Sequence, residues 1–240
     1  MISMKEKNTF AICIPTLNRI DLLIPALLYY SIDFPNTRVY IWDNGRQRIH
    51  EKLQDFVNIR SNKFTYPSNL LDNLTVLGGN DRNIGVSAAW NALLRTVFDA
   101  GHTHALVLND DIYLGKNEFH INSLINNDMY ASHLYLCEKE FDWSVFIMPK
   151  NTFNTVGEFD ESLVIYYSDN DYMNRLKMPQ LNGVVMNIPF LNPAIFHRSM
   201  SILKCKDEGI KKIIEMDSVF YEKKWGGNVG AEKFTIPFGS

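Results

Sequence analysis

The chain has 240 residues, 46% of them apolar, and a formal net charge of -3. That apolar share is too high for a disordered chain, and the lack of a strongly basic segment argues against nucleic acid as the main partner. Three cysteines, Cys13, Cys137 and Cys205, form an odd set with no CxxC pair, which argues against a disulfide scaffold or a zinc site and fits a reducing compartment.

The first residues, 1–8, are short and charged, without the apolar stretch of a secretory leader, and no apolar run approaches membrane-spanning length. The expectation is a soluble, cytoplasmic protein. In chain order, Phe10 to Pro15 reads as a buried strand and Arg19 to Tyr30 as a helix with apolar residues at helical spacing. Arg38 to Trp42 is a second strand ending at the turn signal Asp43-Asn44-Gly45, and Arg48 to Asn58 a second helix. Leu74 to Leu77 is a third strand. Asn83-Ile84-Gly85 opens a helix through Ala100, with Asn83 as its N-cap and Gly101 as its stop. Thr103 to Leu108 is a fourth strand.

The second half is less regular. Asn117 to Asn127 reads as a helix, Met129 to Leu136 and Trp143 to Met148 as strands, and residues 149–156 as a connection. Asp169 to Met178 reads as a helix capped by Ser168 or Asp169, and Ser201 to Lys224 as a long amphipathic helix. The pattern predicts an α/β fold: a mostly parallel, Rossmann-like central sheet flanked by helices, with a C-terminal helical extension. One domain spans 1–240, with a nucleotide-binding half at 9–111, an acceptor and catalytic half at 112–200, and a helix and tail at 201–240.

In such sheets ligands sit beyond the carboxyl ends of the strands. Polar corners fall at those ends: Pro15-Thr16-Leu17-Asn18, Asp43-Asn44-Gly45, Asn83-Ile84-Gly85 and Asn109-Asp110-Asp111. The last is the sharpest, because a buried run ends in two adjacent carboxylates. Each is costly to desolvate and they repel, so a hard divalent cation would relieve the pair; a solvated turn is the plain alternative. Asp43 either meets a base or ribose or satisfies its own turn. Gly85 permits close backbone approach, and the helix start favours anions. Asp169 sits at a helix mouth after an aromatic pair, where partial burial suits a general base. Asp171 and Arg175, four apart, form a helical ion pair.

Taken in order, these segments resemble glycosyltransferase family 2 and its relatives of GT-A fold. The motifs are Ile14-Pro15-Thr16-Leu17-Asn18-Arg19, Trp42-Asp43-Asn44-Gly45, Asn83-Ile84-Gly85 with Asn91, Leu108-Asn109-Asp110-Asp111, Gly157-Glu158-Phe159-Asp160-Glu161, and Tyr167-Ser168-Asp169-Asn170-Asp171 with Arg175. The resemblance implies transfer of a sugar from a UDP-, dTDP- or GDP-sugar to a hydroxyl of a glycan or glycoconjugate, usually with inversion and with Mn²⁺ or Mg²⁺. It implies that Pro15, Thr16 and Arg19 line the nucleotide, that Asp43 meets the base, and that Asn83 and Gly85 border the ribose and diphosphate. It makes Asp111 the metal ligand, Asp110 its donor-facing neighbour and Asp169 the general base. His197 matches a residue that approaches the metal or phosphate in related enzymes; a structural hydrogen bond is the alternative, and Arg198 is a second phosphate candidate. Two positions depart from the family pattern: Asn109 opens the DXD-like motif, and Ser168 replaces the Glu of the Glu-Asp motif.

The aromatic groups are open to two readings. Trp225-Gly226-Gly227 is either an acceptor-side lid or a tail packed on the domain, and Trp143, Tyr166 and Tyr167 either face sugar or fill the core. Among rival functions, a sugar nucleotidyltransferase is disfavoured because the loop after the first strand has no glycine. A nicotinamide dehydrogenase is disfavoured because no GxGxxG follows that strand. A non-catalytic nucleotide-sugar or glycan-binding module of the same fold stands as the alternative to the enzyme.

Overall fold

The computed structural model describes residues 7–60, 71–79, 82–127, 133–137, 142–178, 180–181, 185–187 and 208–239. Seven strands form one sheet: β1 (Phe10–Thr16), β2 (Val39–Asp43), β3 (Leu74–Gly78), β4 (His104–Leu108), β5 (Leu134–Leu136), β6 (Val145–Pro149) and β7 (Val185–Asn187). Their order is β3-β2-β1-β4-β6-β5-β7. The first four pair in parallel, as the alternation of strands and helices predicts, and β6 runs antiparallel between β4 and β5. β5 and β7 are parallel, so the sheet is mostly parallel with one reversed strand.

The helices are α1 (Ile20–Asp33), α2 (Ile49–Arg60), α3 (Val86–Asp99), α4 (Glu118–Ile125), α5 (Lys150–Val156), α6 (Ser168–Leu176) and α7 (Glu208–Trp225). Alternation along β1 divides the core in two. Phe10, Ile12 and Ile14 face Leu23, Leu27 and Tyr30 of α1, Leu53 of α2 and Ile121 of α4. Ala11 and Cys13 face Leu93, Leu94 and Val97 of α3, Phe153 of α5 and Tyr172 of α6. Successive side chains of a strand point to opposite faces, so a strand buried on both reads as an unbroken apolar run. A third, smaller cluster joins Leu163 to Tyr221 and Trp225 of α7.

Three differences from the sequence reading have local causes. Residues 150–156, read as a connection, form α5; its apolar period is only Phe153 and Val156, too short to register as a helical stripe. β7 is a three-residue strand, below the length at which alternation is visible. Trp143 lies in a 3₁₀ turn ahead of β6 rather than in the strand, and its ring packs with Phe146, Phe159 and Tyr172. The expected helix over 201–224 begins at Glu208 in α7, and 201–207 lie outside the described residues. No helix among the described residues is long and apolar enough to cross a membrane.

Candidate functional site

Parallel pairing sets Thr16 beside Asp43, and Asp43 beside Gly78, so the carboxyl ends of β1, β2 and β3 form one rim. The turn after β4 reaches the same rim. Its backbone closes through the Ile112 N–H on the Asn109 carbonyl at 3.2 Å, and Thr16 Oγ1 donates to Asp110 Oδ2 at 2.7 Å. The buried Tyr30 hydroxyl donates to the Ile112 carbonyl at 2.6 Å and fixes the far side of the turn.

Asp110 is the electrostatic centre of this corner. Burial, with the neighbouring Asp111 charge adding to it, pushes its carboxyl up to about 6, although the Thr16 hydroxyl, the Arg19 charge and the Leu17 amide all act to lower it. Pro15 and Thr16 belong to the end of β1, and Arg19 is the N-cap residue of α1, close enough for its charge to act on Asp110. Asp111 is half-buried.

Asp43 is buried and fully engaged by its own turn. Its Oδ1 accepts from the Gly45 N–H at 2.8 Å and from Gln47 Nε2 at 3.2 Å, and its Oδ2 accepts from the Gln47 N–H at 2.7 Å. Gln47 also donates to Thr16 Oγ1 at 3.3 Å, which ties the β2 corner to Asp110. Its Oε1 is buried without a partner among the described residues. Gln47 lies outside every motif, and only its distance of four residues from Asp43 hinted at a part in this corner.

The helix start after β3 departs from expectation. Gly85, not Asn83, is the N-cap residue of α3, and no side chain caps it. Asn83 is exposed, and its Oδ1 accepts from the Gly85 N–H at 2.9 Å, an Asx turn that precedes the helix. Gly85 does permit a close backbone approach, and the backbone that approaches is the protein's own. With φ 86°, an added Cβ would lie 2.6 Å from the Val164 carbonyl oxygen, which accepts from the Val86 N–H at 2.8 Å. Asn44 reaches across from β2, accepting from the Ile84 N–H at 3.1 Å and donating to the Gly85 carbonyl at 3.3 Å.

The segment that carries Asp169 joins the rim through α3. The Ser87 and Ser168 hydroxyls meet each other, and both reach the Leu163 carbonyl. Neither Ser168 nor Asp169 caps α6, contrary to expectation. The N-cap residue is Tyr167, left-handed at φ 68°, with no side-chain cap. The Ser168 hydroxyl is consumed by Ser87, which leaves Asp169 as the half-buried carboxylate at the helix mouth. Burial raises its carboxyl above the ordinary carboxylate range, against the Asn170 amide that bonds to it at 2.9 Å. Tyr166 lies close enough to feel its charge.

The remaining motif residues are structural. Asn91 is fully buried, donates to the Phe159 carbonyl at 2.9 Å and accepts from the Phe159 N–H at 2.8 Å, which fixes the Gly157–Glu161 motif against α3. Asp171 is more than a helical ion-pair partner. Fully buried, it meets Arg175 at 2.9 Å, Lys224 at 2.7 Å and the Trp225 indole N–H at 3.0 Å. Trp225 is therefore core, and a lid at that position is ruled out.

The acidic corner fits a divalent cation of one particular kind. Among the described residues, no group of three or more His, Cys, Asp or Glu side chains gathers as a metal cage. Two adjacent carboxylates, one buried enough to resist ionisation, suit Mg²⁺ or Mn²⁺ that takes phosphate oxygens as further ligands. His197 and Arg198 lie outside the described residues.

The sheet is a mostly parallel α/β sheet of order β3-β2-β1-β4-β6-β5-β7, with Asp43 at the end of β2, Asp110 just beyond β4 and Asp169 in the first turn of α6. Among solved structures, the chain superposes on the mannosyltransferase PcManGT from Pyrobaculum calidifontis, in complex with GDP-Man and Mn²⁺, with a TM-score of 0.57 and 14% identity. The match covers 78% of this chain and 56% of that one, so the chain spans little more than half the length of that enzyme. It also superposes on residues 1–349 of S. aureus TarS with a TM-score of 0.53 and 14% identity, over 91% of this chain and 72% of that fragment. No family model and no curated protein matches the sequence. The chain has the GT-A-like fold of these structures, the fold its motifs resemble.

Proposed function

We propose that the chain is a metal-dependent, inverting glycosyltransferase. It moves a sugar from a nucleotide-sugar donor to an acceptor hydroxyl of a glycan or glycoconjugate. The observation that carries this reading is a half-buried carboxylate at each of two corners of a GT-A-like fold: Asp110, tied through Thr16 and Gln47 to the ends of β1 and β2, and Asp169 at the mouth of α6, both raised by burial. Perturbed carboxylates at a ligand-binding rim are costly to a fold and useful to chemistry. The solved structure with GDP-Man and Mn²⁺ supports the donor class and the metal.

In this mechanism the donor lies along the rim, with the nucleotide against Pro15, Thr16 and Arg19 and the diphosphate beside Asn83, while Asp43 and Gly85 shape that rim through their own turn and the Val164 backbone. Asp111, with His197 as the second candidate, would hold a divalent cation, which would supply positive charge to offset the charge growing on the leaving diphosphate. Asp110 faces the donor and stabilises positive character at the anomeric carbon. Asp169 accepts the proton of the acceptor hydroxyl as that oxygen attacks from the opposite face of the ring. Burial raises its carboxyl above the ordinary carboxylate range, the direction that makes a carboxylate a stronger base.

A panel of UDP-, dTDP- and GDP-sugars with Mn²⁺ or Mg²⁺, assayed for transfer and slow donor hydrolysis, tests the reading. One donor class is expected to turn over. Asp169→Asn should lower turnover by about 10²–10⁴-fold with donor binding retained. Near-normal turnover by that variant would remove Asp169 as the base. Donor binding by the wild-type chain with no turnover would identify a binding module instead.

A further inference from the structure

Asp217 of α7 is 1% exposed and spends its whole carboxylate on backbone. It accepts from the N–H groups of Val164 at 3.0 Å, Ile165 at 2.8 Å and Tyr166 at 2.9 Å. Three successive amides turned onto one anion curl that segment around it with charge-assisted bonds. The curl leads directly into Tyr167, whose left-handed backbone is rare for a bulky side chain and persists only where the surroundings over-determine it. The same helix supplies those surroundings. The Tyr167 hydroxyl donates to Ser218 Oγ at 3.2 Å, and its ring centroid lies 5.1 Å from that of Tyr221. Tyr167 is the N-cap residue of α6, and its carbonyl accepts from the Asp171 N–H at 2.8 Å. The dihedrals of 164–167 therefore set where Asp169, the second residue of α6, points.

The docking of α7 has its own anchors elsewhere. Lys224 meets Asp160 at 2.6 Å and Asp171 at 2.7 Å, and the Trp225 indole donates to Asp171. Asp217, Tyr221, Lys224 and Trp225 fall at i, i+4, i+7 and i+8, one face of a helix. Of these, Asp217 alone bonds to the backbone leading into Asp169. We propose that Asp217 is a positioning residue for the catalytic base: held on α7, it fixes the backbone that aims Asp169 at the acceptor hydroxyl. The role rests on the transfer reaction proposed above. Asp217 touches neither substrate nor reacting atoms in this role.

Steady-state kinetics of Asp217→Asn test it, because Asn keeps the shape and loses the anion that holds the amides. The expected result is a fall in kcat of about 10²-fold with donor KM changed less than about twofold, the mark of a misplaced group rather than a lost binding contact. The acid limb of the kcat–pH profile should move as well, since the surroundings of Asp169 change. Leu53→Ala, in the core on the opposite face of the sheet, should lower the melting temperature and leave kcat and that limb in place. Tyr167→Phe, which loses only the bond to Ser218, provides a milder variant that folds; kcat should fall several-fold at constant donor KM. Wild-type kcat in both Asp217→Asn and Tyr167→Phe would overturn the role, as would a kcat loss matched by Leu53→Ala. Absence of transfer by the wild-type chain with every donor would instead overturn the assigned activity, and this role with it.

Discussion

Asp110 carries an unfavourable environment in the free protein. Its raised carboxyl means that the folded state resists losing that proton, so the contribution to stability is full below the ordinary carboxylate value and is lost as pH rises through about 6. Asp110→Asn keeps an acceptor for the Thr16 hydroxyl and removes the desolvated charge. Thermal denaturation should find the variant more stable than wild type by about 1–2 kcal/mol at pH 8, with the advantage fading toward pH 4. Function should pay the difference: donor and cation need the ionised form, so wild-type binding should weaken as pH falls through about 6. A binding titration across pH 5–8 checks it. Asp111→Asn should weaken donor binding only in the presence of metal if Asp111 holds the cation as proposed.

At the scale of elements, α7 and the start of α3 are held to the segment that carries Asp169. Lys224→Met leaves the fully buried Asp171 with Arg175 and the Trp225 indole alone, and an under-compensated buried charge should cost about 3 kcal/mol in a denaturant titration. Burial pushes the Asp160 carboxyl up, but its bond to Lys224, the Ser162 amide and the Lys224 charge win and hold it below its ordinary value. Its contribution is therefore present above about pH 4 and is lost as pH falls further. Amide exchange in α7 should accelerate first in that acid window. Gly85→Ala meets both a left-handed φ of 86° and the Val164 carbonyl at 2.6 Å, and should destabilise by about 2 kcal/mol or more. Asn83→Ala should cost far less, because its side chain is exposed and only closes an Asx turn.

Over the whole molecule, ligand and stability are linked. If donor and Mn²⁺ bind as the proposed transfer requires, the two together, at concentrations that saturate the ternary complex, should stabilise the native state by about 2–3 kcal/mol, more than either alone. Melting curves with donor, metal, both and neither check this. The sequence itself determined the parallel half of the sheet, because strands buried on both faces are unbroken apolar runs and each ends in polar turn residues. It also placed polar corners at Thr16, Asp43 and Asp110, where β1, β2 and β4 end, since each follows a local apolar run. Other features were decided only in three dimensions. β6 runs antiparallel beside β4 because pairing is a choice of partner, which no local period encodes. Gly85 serves Val164 and Asn91 serves Phe159, and partners so far along the chain leave no trace in local spacing. Asp217 lay inside an ordinary amphipathic stripe. Its meaning came from packing α7 against 164–167, where burial made one carboxylate the partner of three amides.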